Sequence, residues 1–246
     1  MVLTDVSSSA TALSIAVTST GNVDLSGWTG LGWTSGTDLL SVTGSGTIKG
    51  SSTLSTSVTG GSSVDTITTG AAASTVVGAA SDDIITLGAA NAAVDRIVLA
   101  DTSATNGSDS ITNFVANSDV IAIKAGVGVY TTGNNAGGGA GAATNVFTKA
   151  GTGVNAANEV IILDQTTYLT ALLAETALDA YAAATITATN DVLFVYSNGT
   201  NAFVYRDINA GTDSAGTDLT LLATLVGYNT TTAVTALTAA DFLFVV

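Results

Sequence analysis

The first chemistry in this sequence is a set of carboxylates at a constant interval. Asp65, Asp83, Asp101 and Asp119 follow one another in steps of 18 residues. If nine residues make one turn plus one short strand, 18 residues make a full circuit. Carboxylates 18 residues apart then stand one above another on neighbouring strands, about 4.8 Å apart. Such a column repels itself. A divalent cation between turns converts that repulsion into binding, and turn carbonyls complete an oxygen shell. Calcium, Ca2+, suits this hard donor set. Asp82 adds a carboxylate directly beside Asp83 and joins the candidate ligands.

The interval belongs to a repeat. Three nonapeptides run from Gly61 to Thr69, from Gly70 to Gly78 and from Ala79 to Leu87. Read from one residue earlier, their sixth places are Asp65, Ser74 and Asp83, and their eighth places are Ile67, Val76 and Ile85. This is a worn form of the G-G-x-G-x-D-x-U-x unit of parallel β-rolls. Gly and Ser in the turn allow the curvature that presents carbonyls. Ser74 leaves the opposite face without its Asp.

Composition removes most other chemistry. The 246 residues contain no His and no Cys, which excludes histidine zinc sites, thiol nucleophiles, disulfides and Ser-His-Asp arrangements. Five Lys and Arg stand against 19 Asp and Glu, a net charge of −14. Nucleic acid and anionic membranes are poor partners for such a surface. No run of 18 apolar residues predicts a membrane-spanning helix, and Met1 to Ala16 lacks the basic residues of a secretory leader. No nucleophile has an activating neighbour. Glu159 and Glu175 lack a second group that would mark an acid or a base, so no enzyme is expected.

The elements that must position these carboxylates are mostly strands. Short alternating runs mark residues 1–60: Leu13 to Val17, Val23 to Leu25, Leu39 to Val42, Thr47 to Lys49 and Leu54 to Val58. Trp28 and Trp33 interrupt them and read as an aromatic plug on an open end. The expected organisation is a right-handed parallel β-roll or solenoid over 1–125, a Gly/Ala/Asn-rich loop or linker over 126–158, and a β-rich block over 159–246. In that block Val160 to Leu163 reads as a buried strand, and residues 165–184 as the one helix, with Leu169, Leu172, Leu173 and Leu178 near helical spacing. Val192 to Tyr196 pairs with Ala202 to Arg206 across an Asn198-Gly199 turn. Leu219 to Leu225 and Phe242 to Val246 are further strands.

Two stretches resemble a known family. Gly107-Ser108-Asp109-Ser110-Ile111-Thr112-Asn113-Phe114, followed by Asn117-Ser118-Asp119-Val120-Ile121, resembles the block that follows the repeats of RTX (repeat-in-toxin) proteins. Residues 190–246, ending Leu237-Thr238-Ala239-Ala240-Asp241-Phe242, resemble the C-terminal region of type I secreted proteins. The resemblance implies that Asp109 and Asp119 are calcium ligands, with Asn113 where the family has an acidic residue. It also implies an uncleaved export signal near the C-terminus, export by type I secretion machinery, and an extracellular or cell-surface location on a Gram-negative bacterium. The N-terminal 60 residues resemble S-layer proteins in composition.

The expected function is structural: a secreted S-layer or extracellular-filament subunit that folds and self-assembles when it meets extracellular calcium. Cell-surface polysaccharide is a further possible partner. An adhesin or glycan-binding module would instead use Trp28, Trp33 and the Tyr residues. An ice-binding solenoid would need a ladder of Thr, and no regular Thr-x-Thr column is legible in the sequence.

Overall fold

The computed structural model describes residues 2–4, 13–31, 38–88, 93–100, 102–124, 141–142, 147–149, 160–164, 166–182, 192–208 and 218–245. The chain is mainly β. The first half gives β1 (Val2–Thr4), β2 (Ser14–Thr18), β3 (Val23–Asp24), β4 (Thr29–Leu31), β5 (Leu39–Thr43), β6 (Thr47–Lys49) and β7 (Thr56–Thr59). It continues with β8 (Thr66–Thr68), β9 (Ser74–Val77), β10 (Ile84–Thr86), β11 (Arg96–Ala100), helix α1 (Ser103–Asn106), β12 (Asp109–Thr112) and β13 (Val120–Lys124). From β5 to β13 successive strands alternate between two sheets, and every pairing among them is parallel. Residues 1–60 enter the same two sheets: β5 pairs with β7 and β2 with β5, while β6 pairs with β8 and β3 with β6. β1 and β4 form a small parallel pair of their own.

The alternation of residue types explains the packing. Val23, Ile48, Ile67, Ile85, Ile111 and Leu225 are register partners along one sheet. Val42, Val58, Val76, Ile97, Ile121 and Phe242 are register partners along the other. All belong to one buried core between the sheets. Side chains alternate across a strand, so the neighbouring Ser and Thr face outward. Thr68, Thr86 and Thr112 do stand in register, a Thr column that the sequence did not disclose. The parallel row Thr47, Thr66, Ile84, Ser110 is broken by Ile84.

The second half contains β14 (Gly141–Ala142), β15 (Phe147–Lys149), β16 (Val160–Leu163), α2 (Ala171–Ala182), β17 (Val192–Ser197), β18 (Asn201–Asp207), β19 (Leu219–Val226), α3 (Thr231–Thr235), a 3-10 turn at Ala239–Asp241 and β20 (Phe242–Val245). These strands extend the same sheets: β19 pairs with β12, and β20 with β13. The larger sheet runs β15-β16-β17-β18-β19-β12-β10-β8-β6-β3, and the other runs β14-β20-β13-β11-β9-β7-β5-β2. Most of 126–158 lies outside the described residues, but two short strands, β14 and β15, occur within it.

Three sequence expectations need correction. The expected helix is shorter, because residues 166–170 are not helical; Gln165 and residues 183–184 lie outside the described residues. α2 buries Ala174, Glu175 and Leu178, whereas Leu172 and Leu173 are 47% and 52% exposed. The inward face thus carries one Leu beside an Ala and a Glu. Among the described residues, two further short helices exist besides α2. α3 is started by Thr230, whose hydroxyl accepts the Ala233 N–H at 3.0 Å. The runs in β16 and β17 are buried on both faces: Val160, Ile162, Leu193 and Val195 join the main core, while Ile161, Leu163, Phe194 and Tyr196 pack under α2. That explains their continuous apolar character. The Asn198-Gly199 hairpin forms between β17 and β18, with Gly199 at φ +90°. Among the described residues, no helix is long and apolar enough to cross a membrane.

Candidate functional site

Six aspartates share one local setting. Asp38, Asp65, Asp83, Asp95, Asp109 and Asp119 are all buried, and the second residue after each is a buried aliphatic. Each Asp stands where a strand begins. From there its carboxylate reaches back one strand spacing to the amide of the preceding strand in the same sheet.

In the larger sheet the column contains Asp65, Asp83 and Asp109. Asp65 Oδ1 accepts the Gly46 N–H. Asp83 Oδ1 accepts the Asp65 N–H at 2.7 Å, and Asp109 Oδ1 accepts the Asp83 N–H at 3.1 Å. The second sheet carries its own column. Asp95 Oδ1 accepts the Ser74 N–H at 2.8 Å, and Asp119 Oδ1 accepts the Asp95 N–H at 2.9 Å. Asp38 Oδ1 accepts the Leu13 N–H at 2.8 Å in that sheet. A buried carboxylate is tolerated when amides donate to it, and such charge-assisted bonds are the stronger kind.

The 18-residue register therefore holds for a single step. Asp83 stands over Asp65, 18 residues apart. The next member is Asp109, 26 residues on, because the intervening chain carries extra turn and α1. Asp119 stands in the other sheet over Asp95, 24 residues away. Asp101 lies outside the described residues. Asp82 is exposed and accepts the Ser108 N–H at 2.8 Å, tying adjacent turns together.

The second carboxylate oxygen divides these residues. Asp65 Oδ2 accepts the Gly61 N–H at 2.6 Å, and Asp119 Oδ2 accepts the Val115 N–H at 2.8 Å. In both cases the donor lies four residues before the Asp. For Asp109 that residue is Thr105, whose N–H is engaged by Thr102 O within the α1 turn. For Asp83 it is Ala79, held at φ +76°, and no bond from it reaches the carboxylate. Asp83 Oδ2 and Asp109 Oδ2 are buried without a hydrogen-bond partner. They converge on Gly78. A Cβ there would collide with Asp83 Oδ2 and stand 3.2 Å from Asp109 Oδ2. Gly60 occupies the same place beside Asp65 Oδ2, so the first glycine of the repeat makes room for the carboxylate.

Burial sets the electrostatics. It pushes Asp83 up to about 6, against the opposing bond from the Asp65 N–H and helped by the charges of Asp65 and Asp82. Burial pushes Asp109 up to about 8, with the Asp83 N–H opposing, Asp83 and Asp82 adding to the rise, and the nearby Asn106 amide, which is spent on the Gly107 and Leu222 carbonyls, opposing it weakly. In the other column burial lifts Asp95 to about 6, and it raises Asp119 as well. Asp241 is also raised by burial although it accepts the Asn117 N–H at 2.5 Å and the Thr238 N–H at 2.6 Å.

A second acidic group was not legible in the sequence. Glu175 on α2, Asp207 in β18 and Asp218 before β19 each place one carboxylate oxygen within 4.8 Å of the others. Their separation along the chain gives no spacing signal; only the docking of α2 on the sheet assembles them. Trp28 is half-buried and packs against the core, and Trp33 lies outside the described residues. Comparison of the chain with protein-family models, curated proteins and solved structures finds no match.

Proposed function

We propose that this chain is a secreted structural protein, a subunit of an S-layer or extracellular filament, that folds and assembles with calcium outside a Gram-negative cell. On this reading the alternating parallel strands form a β-roll or solenoid, and the C-terminal strands close it. The observation that carries the proposal is the pair of buried aspartate columns running between stacked parallel strands. Such columns bring buried carboxylates close together, in a chain of net charge −14. A cation of high charge is the natural counterpart, and extracellular sites of roughly 10⁻⁴ to 10⁻³ M affinity fill only outside the cell. Ion binding then adds to folding free energy.

Assembly follows from the sheet ends. Among the described residues, β2 and β3 have one unpaired edge each. The chain has few Lys and no Pro, the usual protectors of such edges. Strand addition between copies uses those edges. The test is a calcium titration followed by circular dichroism and negative-stain microscopy on one sample. Ordered polymers that form with calcium and dissolve with chelator are expected. A chain that sediments as a monomer at millimolar calcium would overturn the proposal.

A further inference from the structure

Calcium-binding repeats suggest one ion for every turn. The carboxylates here are not equivalent, and the difference is countable. Asp65 and Asp119 use both oxygens on backbone amides. A carboxylate with both oxygens engaged in this way has fewer lone pairs to offer a metal. Asp83 and Asp109 each spend one oxygen on an amide and keep the other buried without a donor. Leaving a charged buried oxygen unpaired is costly. Both deficits arise at one place, and each has a backbone cause. The α1 turn has taken the Thr105 amide, and the left-handed Ala79 has withdrawn the equivalent donor from Asp83.

We propose that one divalent cation bridges Asp83 Oδ2 and Asp109 Oδ2 at Gly78, and that the other column aspartates are amide-bound struts that take no metal. This deepens the calcium reading above and rests on it. The glycine is required because any side chain at residue 78 would fill the space of the two oxygens. The exposed Asp82 adds negative potential beside both ligands. The extra length of the circuit between Asp83 and Asp109 thus has a use: it replaces an amide donor by an ion.

The test is isothermal titration of the chelator-stripped full chain with calcium chloride, with melting temperature as a second readout. One ion per chain is expected. Asp109→Asn still offers an oxygen to the Asp83 N–H, so it should fold yet bind calcium roughly ten-fold more weakly or worse. Gly78→Ala should do the same. Asp65→Asn and Asp119→Asn should melt earlier while keeping the ion. Two or more ions per chain, an unchanged affinity in Asp109→Asn, or lost binding in Asp65→Asn would each overturn the assignment. So would the absence of binding at millimolar calcium, which would leave a shared proton as the bridge. Calcium-driven polymers with an unaffected Asp109→Asn would sink this site and leave the assembly reading intact; a single bound ion without polymers would do the reverse.

Discussion

At the scale of single residues, the aspartates act as clamps between strands. Asp119 joins two amides, the buried Asp95 N–H and the partly buried Val115 N–H, that would otherwise lose their acceptors. Asp119→Ala removes both bonds and strands both donors. Each stranded buried donor costs about 1–3 kcal/mol, so a loss of several kcal/mol is expected. Asp82→Ala, at an exposed carboxylate with one bond, should cost about 1 kcal/mol or less. Urea denaturation of the two variants checks this, and equal losses would contradict the clamp role. The clamps were half legible. An Asp two places before an aliphatic residue marks Asp65, Asp83, Asp109 and Asp119, but it also marks Asp38 and Asp95, which a search for an 18-residue interval passes over. The interval misled because circuit length is set by loops, and lengthening a loop costs little free energy. What stays constant is the strand entrance.

At the scale of elements, one buried column decides stability and its neighbour does not. Ile84 and Ile85 are adjacent and identical, yet Ile84 is 48% exposed and Ile85 is fully buried between Ile67 and Ile111. Ile85→Ala should lower stability by about 2–5 kcal/mol through the cavity it leaves. Ile84→Thr should shift it by about 0.5 kcal/mol or less, since its row already holds Thr66 and Ser110. Denaturation midpoints distinguish the two, and comparable effects would mean that the strand faces are assigned wrongly. This layer of the fold was well legible. Alternation located β6 and a continuous apolar run located β16, both at their observed bounds, and Asn-Gly marked the turn between β17 and β18. α2 was placed less well because Ala174 and Glu175 share its buried side with Leu178 alone of the leucines. Hydrophobic spacing therefore pointed to Leu172 and Leu173, which face solvent.

At the scale of the whole molecule, the buried carboxylates set how stability responds to pH. Burial lifts Asp95 and Asp83 to about 6 and Asp109 to about 8, from an ordinary value of 3.8, and it raises Asp119 and Asp241 too. A folded-state value above the unfolded one means that the folded chain holds its protons more tightly. The resulting stability is complete below the unfolded value and disappears as pH rises through the folded values. In chelator the melting temperature should therefore fall from pH 5 to pH 8, above the isoelectric point of about 4.1. Self-repulsion of the −14 charge acts in the same direction. At the proposed site calcium would oppose both, because an ion at Asp83 and Asp109 would replace the proton that neutral pH removes. With millimolar calcium the fall should shrink most toward pH 8, where the Asp109 proton competes least with the metal. A melting temperature that rises toward pH 8 in chelator would show that the amide bonds outweigh burial in the columns. The carboxylates would then need no cation to stay charged.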